Sequence, residues 1–354
     1  MTELDVSASP PPATVRAAVV GLGALGVAHA SVLAMIPGCE LVGLADPVPT
    51  GGRTLQSLGH RAPVFRHAAR MIDKTRPDVV FVCTPPDVHL ANARLALMGG
   101  CAVFVERPFA HTLADAEALA RLAAETDRPV ACGYSMGYQP IFAAARQRLQ
   151  GGALGDLREA RASLYVSQVF GARKGWRYDP ARSGGGVLAN FSCELLFLLI
   201  QSLGRPVEVR ATWNRFFGAV EDELHAMMTL ASGMTIGFDS SWSMPGYPRP
   251  AAVIEVEGAN GRLLVSNDAL ECDLHQPRAG FAAGVSRIRD SDLPQPARFD
   301  LEGEELYMAD SAFLAWAGGG APPLATATAA LEVQRVMHAL YSSARDDARP
   351  TKVG

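Results

Sequence analysis

The chain lacks a strong charge of either sign. Lys and Arg total 32 and Asp and Glu 36, a net charge of −4 over 354 residues, so no basic field exists to draw in nucleic acid or an anionic membrane surface. Cysteine is sparse too: six residues, Cys39, Cys83, Cys101, Cys132, Cys193 and Cys272, with no CxxC pair and no Cys/His ligand spacing. Most lie in apolar runs, where a thiol behaves as a small hydrophobe. Reduced, structural thiols in a cytoplasmic protein are expected. HExxH and acidic ligand clusters are missing, so no metal is expected. The serine-rich strings SSWS and YSSAR contain no GxSxG elbow, which removes support for a hydrolase. The longest later apolar run, around 195–200, falls far short of the ~20 residues that span a bilayer, so no membrane partner is expected. Residues 1–14 are rich in Ser and Pro and carry neither the basic start nor the apolar stretch of a signal peptide; they read as a disordered tail. No internal repeat is visible.

What is present is a globular composition, 49% apolar and 19% charged, and a length that suits two domains at roughly 100–200 residues each. From residue 15 to about 132, short β-branched runs alternate with Ala/Leu-rich helical patterns: VRAAVVGLG, ELVGLADP, DVVFVCTPP, CAVFVERP and PVACGY, with helices through residue 32, near 90–98 and at 113–124. That alternation predicts βαβ units on a parallel sheet, a dinucleotide-binding α/β domain over 15–136. Beyond it, after a helix near 139–149, long partly alternating strands follow, among them LREARASLYVSQ, PVEVRATWNRF, MTIGFDSSWS and AAVIEVEG. Turn pairs Ser232-Gly233 and Asn260-Gly261 separate several of them. They predict an α+β domain over 137–354 with an open, mainly antiparallel sheet, a helix near 185–203 and a closing helix at 326–345.

The most informative string is Val19-Val20-Gly21-Leu22-Gly23-Ala24-Leu25-Gly26, a strand running into three spaced glycines and then a helix. The first glycine permits the tight turn, the second lets backbone approach a pyrophosphate, and the third lets helix pack on strand. The helix start at Ala24 and Leu25 offers unpaired N–H groups and a partial positive charge to the phosphates. The second strand ends at Asp46, twenty residues past Gly26, where a carboxylate accepts from ribose hydroxyls and repels a 2′-phosphate. This is the Rossmann fingerprint, and it favours NAD over NADP, although nearby Arg53 leaves room for a phosphate. The alternative is a tight glycine turn in an unrelated α/β protein with a chance aspartate.

Further motifs follow in order. Thr84-Pro85-Pro86 with His89 matches a TPPxxH turn, and Glu106-Arg107-Pro108 stands where Glu-Lys-Pro is usual. Gly133-Tyr134-Ser135 with Tyr138 and Pro140 matches GYNxRFxP, and Trp176-Arg177-Tyr178-Asp179-Pro180 with Ser183-Gly184-Gly185-Gly186 matches WRxDPxxSGGG. Over nearly its whole length the chain resembles the glucose–fructose oxidoreductase/inositol dehydrogenase/MocA (Gfo/Idh/MocA) family. The resemblance implies NAD(P)-dependent oxidation of secondary hydroxyls on sugars and cyclitols, a Rossmann domain joined to an open antiparallel sheet, and a homo-oligomer, a dimer or tetramer. It adds Thr84, Pro85, Pro86, His89, Glu106 and Arg107 to the cofactor contacts, and Tyr134, Tyr138, Trp176 and Arg177 to the substrate contacts. Gly137 stands at the family's arginine, which implies a substrate without the usual anionic or polyhydroxy contact there.

The catalytic pattern departs from that family. Arg107 replaces its lysine, Asn190 its aspartate and Glu194 its histidine, with Ser192 at a glycine. Arginine stays protonated and moves no proton near neutral pH, but it can orient a carboxylate or polarise a carbonyl. Asn190 and Glu194 lie four apart and would share one helix face, where Glu194 serves as base if burial raises its pKa. A buried structural pair with Arg107 is the competing reading of Glu194. Tyr178 is a second source of a proton, or a packed loop tyrosine. Three functions remain open on the sequence. The first is an NAD-dependent oxidoreductase on a small, cyclic alcohol, ketone or imine. The second is a redox-neutral lyase or epimerase with tightly held NAD. The third is a regulatory NAD-binding protein that has lost its proton-transfer groups.

Overall fold

The computed structural model describes residues 14–48, 50–294 and 303–354; the tail expected at 1–14 lies, but for Thr14, outside the described residues. Six strands, β1 (Val15–Val20), β2 (Cys39–Ala45), β3 (Val64–Phe65), β4 (Val79–Val82), β5 (Ala102–Val105) and β6 (Val130–Cys132), form a parallel sheet in the order β3-β2-β1-β4-β5-β6. Helices cover both faces, so the central strands β4 and β5 are buried at every residue and read as unbroken apolar runs rather than alternating ones. The order reverses between β1 and β4, and crevices for ligands open at such points, beyond the carboxyl ends of the strands.

The second sheet holds nine strands: β7 (Leu157–Tyr165), β8 (Pro206–Asn214), β9 (Glu223–Leu230), β10 (Thr235–Ser241), β11 (Ala251–Gly258), β12 (Gly261–Ser266), β13 (Ala269–Leu274), β14 (Gly284–Arg289) and β15 (Thr351–Lys352). Their order is β14-β13-β12-β11-β7-β10-β9-β8-β15, antiparallel except for the β7–β10 pair. One face packs on helices; the other stays open. Along β11 the buried residues Ala252, Ile254 and Val256 therefore alternate with Val253, Glu255 and Glu257 on the other face.

Several helical features differ from the sequence expectation, which did not include the helices Thr50–Ser57 and Ala68–Thr75. The run 185–203 is not one α-helix: a short helix Pro180–Ser183 and a π-turn Leu188–Ser192 precede the α-helix Cys193–Leu203. The run 180–203 is apolar and long enough to cross a bilayer, with mean hydropathy 1.6, but 78% of its apolar window is buried inside the protein, as in a core helix. A helix absent from the sequence reading, Glu304–Ala317, packs on the helix Ala24–Leu33 and inserts Phe313 and Leu314 into the core beneath β1 and β4. The C-terminal part of the chain thus returns to the first sheet. All six cysteines are free, and burial pushes the Cys83, Cys132 and Cys193 thiols above their usual range, which keeps them neutral.

Candidate active site

Every motif of the first domain ends up at the carboxyl edge of the parallel sheet: Gly21 directly after β1, Asp46 after β2, Cys83-Thr84 after β4, Glu106-Arg107 after β5 and Gly133-Tyr134 after β6. Gly21 has φ +89°, and a Cβ there would stand 2.7 Å from the Cys83 carbonyl. A Cβ on Gly26 would meet the Gly21 carbonyl oxygen at 1.8 Å, so this glycine sets how closely helix Ala24–Leu33 sits on β1. At Gly23 nothing of the protein lies within 4 Å, and the residue is exposed beside the first-turn amides of Ala24 and Leu25. Asp46 accepts from the Leu22 amide at 2.7 Å through Oδ2 and from the Val48 amide at 2.7 Å through Oδ1, holding the loop while each oxygen keeps a lone pair. An open glycine at a helix N-terminus beside a half-buried carboxylate fits a dinucleotide.

Beneath this edge runs a chain of buried ionic contacts. Asp310 on helix Glu304–Ala317 meets His29 Nδ1 at 2.9 Å, and His29 Nε2 meets Glu106 Oε1 at 3.0 Å. Burial alone would lower the His29 pKa, but the Asp310 and Glu106 carboxylates outweigh it and lift it to about 10, so the ring is an imidazolium. Glu106 Oε2 accepts from the Arg107 amide at 3.2 Å and lies 3.4 Å from Nη1 of the same residue. Arg107 Nε is 2.8 Å from Glu194 Oε1; the N–H is not aligned on that oxygen, so the contact is an ion pair rather than a hydrogen bond. Glu194 Oε2 accepts from the Met136 amide at 2.8 Å and the Ser135 hydroxyl at 3.3 Å. Burial raises the Glu194 pKa, and the opposing pull of Arg107 and the Met136 amide does not cancel it.

The segment 176–186 folds across from the second domain. Arg182 pairs with Asp87 at 3.0 Å, and His111 Nε2 lies 3.3 Å from the Pro180 carbonyl oxygen. Arg177 donates from Nε to Asn190 Oδ1 at 3.2 Å and lies over the Trp176 ring at 5.2 Å. Asn190 donates in turn to the Gly185 and Gly186 carbonyls at 3.1 and 2.8 Å. The glycines are needed for contact: a Cβ on Gly185 would collide with the Tyr341 hydroxyl, and one on Gly186 with the Glu221 carbonyl. Buried Glu221 accepts from the Gly186 and Leu188 amides at 2.7 and 3.1 Å and from Tyr341 at 2.8 Å, closing the end of this helix that its own backbone leaves unpaired.

A family model described as an oxidoreductase family with an NAD-binding Rossmann fold, Gfo/Idh/MocA, matches residues 15–134, and that family's C-terminal domain matches 142–264. The chain belongs to the Gfo/Idh/MocA family. It is an NAD-dependent oxidoreductase of that family. Its relatives include a D-apiose dehydrogenase of Paraburkholderia graminis, 27% identical over 72% of this chain and 68% of that one. An inositol 2-dehydrogenase of Rhizobium meliloti is 26% identical over 72% and 76%. Among solved structures, a levoglucosan dehydrogenase in complex with NADH superposes with TM-score 0.85 at 19% identity, over 96% and 99% of the two chains, a likeness of fold.

Within this Gfo/Idh/MocA frame several expected contacts need correcting. His89 is fully buried with Nδ1 3.1 Å from the Pro108 carbonyl oxygen and Nε2 2.7 Å from that of Thr84, so it braces two turns and has no ring atom left for a cofactor. Glu106, 2% exposed, is engaged by His29 and Arg107 and acts through them rather than on NAD. Tyr134 is 0% exposed and stacks on Phe197 at 5.0 Å, a core residue rather than a substrate contact. Tyr138 accepts from the Leu324 amide at 3.2 Å and braces the segment before the last helix. Tyr178, read as a proton source or a packed loop tyrosine, packs on Trp242 with ring centres 5.7 Å apart. Asn190, expected on one helix face with Glu194, lies in the π-turn and serves Arg177, while Glu194, in the α-helix beyond it, serves Arg107. His29, Asp310 and Glu221 escaped the sequence reading; only the placement of His29 three residues past Gly26, one helical turn below the loop, signalled it.

Proposed function

We propose that this enzyme oxidises a secondary hydroxyl, or reduces the matching ketone or imine, on a small cyclic molecule of the sugar or cyclitol type. The observation that carries the reading is the Arg107–Glu194 pair at 2.8 Å, at the carboxyl edge of the sheet that bears the glycine loop. Gly21, Gly23, Ala24, Leu25, Gly26 and Asp46, with Thr84, Pro85 and Pro86 opposite, are the residues that hold NAD. When bound, NAD supplies a hydride acceptor. Arg107, permanently cationic, orients the substrate oxygen and stabilises the alkoxide charge that develops there as the hydroxyl proton leaves. Glu194 takes the hydroxyl proton; its raised pKa makes it a stronger base than a solvated carboxylate. Trp176 and Arg177 line the substrate side. The names of the relatives, which are dehydrogenases of a sugar and a cyclitol, support a cyclic polyol. The open face of the nine-stranded sheet is the surface that would pair copies into a dimer or tetramer, in the cytoplasm.

Absorbance in the nicotinamide band, followed with a panel of sugars, cyclitols and cyclic ketones, tests this. A substrate-dependent change that Arg107→Ala abolishes is expected. Turnover without any net nicotinamide change would replace the reading with a redox-neutral one, and an unresponsive cofactor across the panel would overturn it.

A further inference from the structure

Arg177 is a half-buried guanidinium without a counter-charge. Among the described residues no carboxylate lies within salt-bridge distance of it, whereas Arg107 has Glu194 and Glu106 and Arg182 has Asp87. Its hydrogen-bond partner is the neutral Asn190, which stands where the family pattern has an aspartate and whose amide group is fixed on the Gly185 and Gly186 carbonyls. Burial disfavours its cationic form and, against the opposing pull of Tyr178 and with the like charge of Arg107, lowers its pKa from the ordinary value. A partly desolvated cation whose partner is neutral is costly, and an anion beside it offsets that cost.

We propose that the missing negative charge arrives with the substrate: Arg177 binds a carboxylate carried by the molecule whose hydroxyl is oxidised. The substrate class is then an acidic sugar or a cyclic hydroxy acid rather than a neutral polyol. With Nε on Asn190 and its carbon 5.2 Å from the centre of the Trp176 ring, the guanidinium keeps its terminal N–H groups for a carboxylate. This inference rests on the oxidoreductase reading for the position of the substrate, and its test separates the two.

The probes are matched pairs, glucuronate with glucose and galacturonate with galactose, titrated calorimetrically into the NADH-loaded protein at low salt, with nicotinamide absorbance followed separately under turnover conditions. The acid of each pair should bind at least ~10-fold tighter than its neutral twin, in line with the strength of charge-assisted bonds. Arg177→Gln should erase that preference and leave NADH affinity unchanged, and Arg177→Lys should restore part of it. Asn190→Asp, which builds the counter-charge into the protein, should also erase it. The proposal is overturned if neither acid binds, if acid and neutral members bind alike, if Arg177→Gln keeps the preference, or if that variant loses NADH instead. Acid binding with no nicotinamide change keeps the carboxylate site and counts against the oxidoreductase reading; oxidation of the neutral sugars without acid preference does the reverse.

Discussion

On the proposed reading, the chemistry at Arg107 and Glu194 is divided between a group that cannot release its proton and one that can. That division gives a pH signature. A base must be deprotonated to act, and burial holds the Glu194 pKa above its ordinary value, so kcat/KM should rise with pH through an apparent pKa above the normal carboxylate range. Glu194→Gln should flatten that limb and lower kcat by roughly 10²–10⁴-fold, the usual contribution of a general base. A pH profile of the variant that keeps the limb would assign it to another group. Glu194 was legible as a candidate because a lone carboxylate in FSCELLFLLI demands a partner, and Arg107 was readable as one; the fold brings the two to 2.8 Å. The substrate role read for Tyr134 failed for the opposite reason: a tyrosine beside a glycine turn carries no mark of whether its ring faces the cleft or, as here, Phe197.

At the scale of the element, the glycine loop makes separable predictions. Gly23→Ala meets no protein atom within 4 Å, so the variant should fold with a melting temperature close to that of the parent while its NAD affinity, measured by fluorescence titration, falls at least ~10-fold. Gly26→Ala places a methyl 1.8 Å from the Gly21 carbonyl oxygen and forces helix from strand; a loss of about 1–3 kcal/mol by denaturant unfolding is expected, as for other overpacked sites. Equal destabilisation by both would mean the second glycine is structural. This loop was fully legible, since its spacing and its flanking strand and helix are local. The π-turn Leu188–Ser192 was not: an apolar run predicts a buried helix, but the extra residue per turn comes from Glu221 and Tyr341, which hold the glycines at its start and are distant in sequence.

For the whole molecule, the parallel sheet and the antiparallel sheet follow from patterning alone, because fully buried strands and one-face-buried strands read differently. The connection between them does not. Asp310 and His29 are 281 residues apart, and the apolar side chains of EELYMADSAFLAWA leave no clean stripe from which to read a helix that reaches back to the first domain. The resulting imidazolium between two carboxylates couples stability to pH. His29 has a folded pKa of about 10 against 6.5 unfolded, so the folded state holds the extra proton between those values. Its stabilisation is complete below pH 6.5 and is lost as pH rises through about 10, and the unfolding free energy should fall across that window. Asp310→Asn should cost about 3–5 kcal/mol by taking from the buried His29 imidazolium one of its two ionic partners, measurable in urea at neutral pH.

The division of labour between a dinucleotide cradle and the Arg107–Glu194 pair is tested most directly by a crystal structure of the protein with NAD bound. The account predicts the pyrophosphate over Gly23, the adenosine ribose on Asp46, and C4 of the nicotinamide facing one open volume that Arg107 and Glu194 both border within hydrogen-bond reach of a substrate oxygen. A nicotinamide ring turned away from that pair, or a pair sealed off from it by protein, would contradict the account.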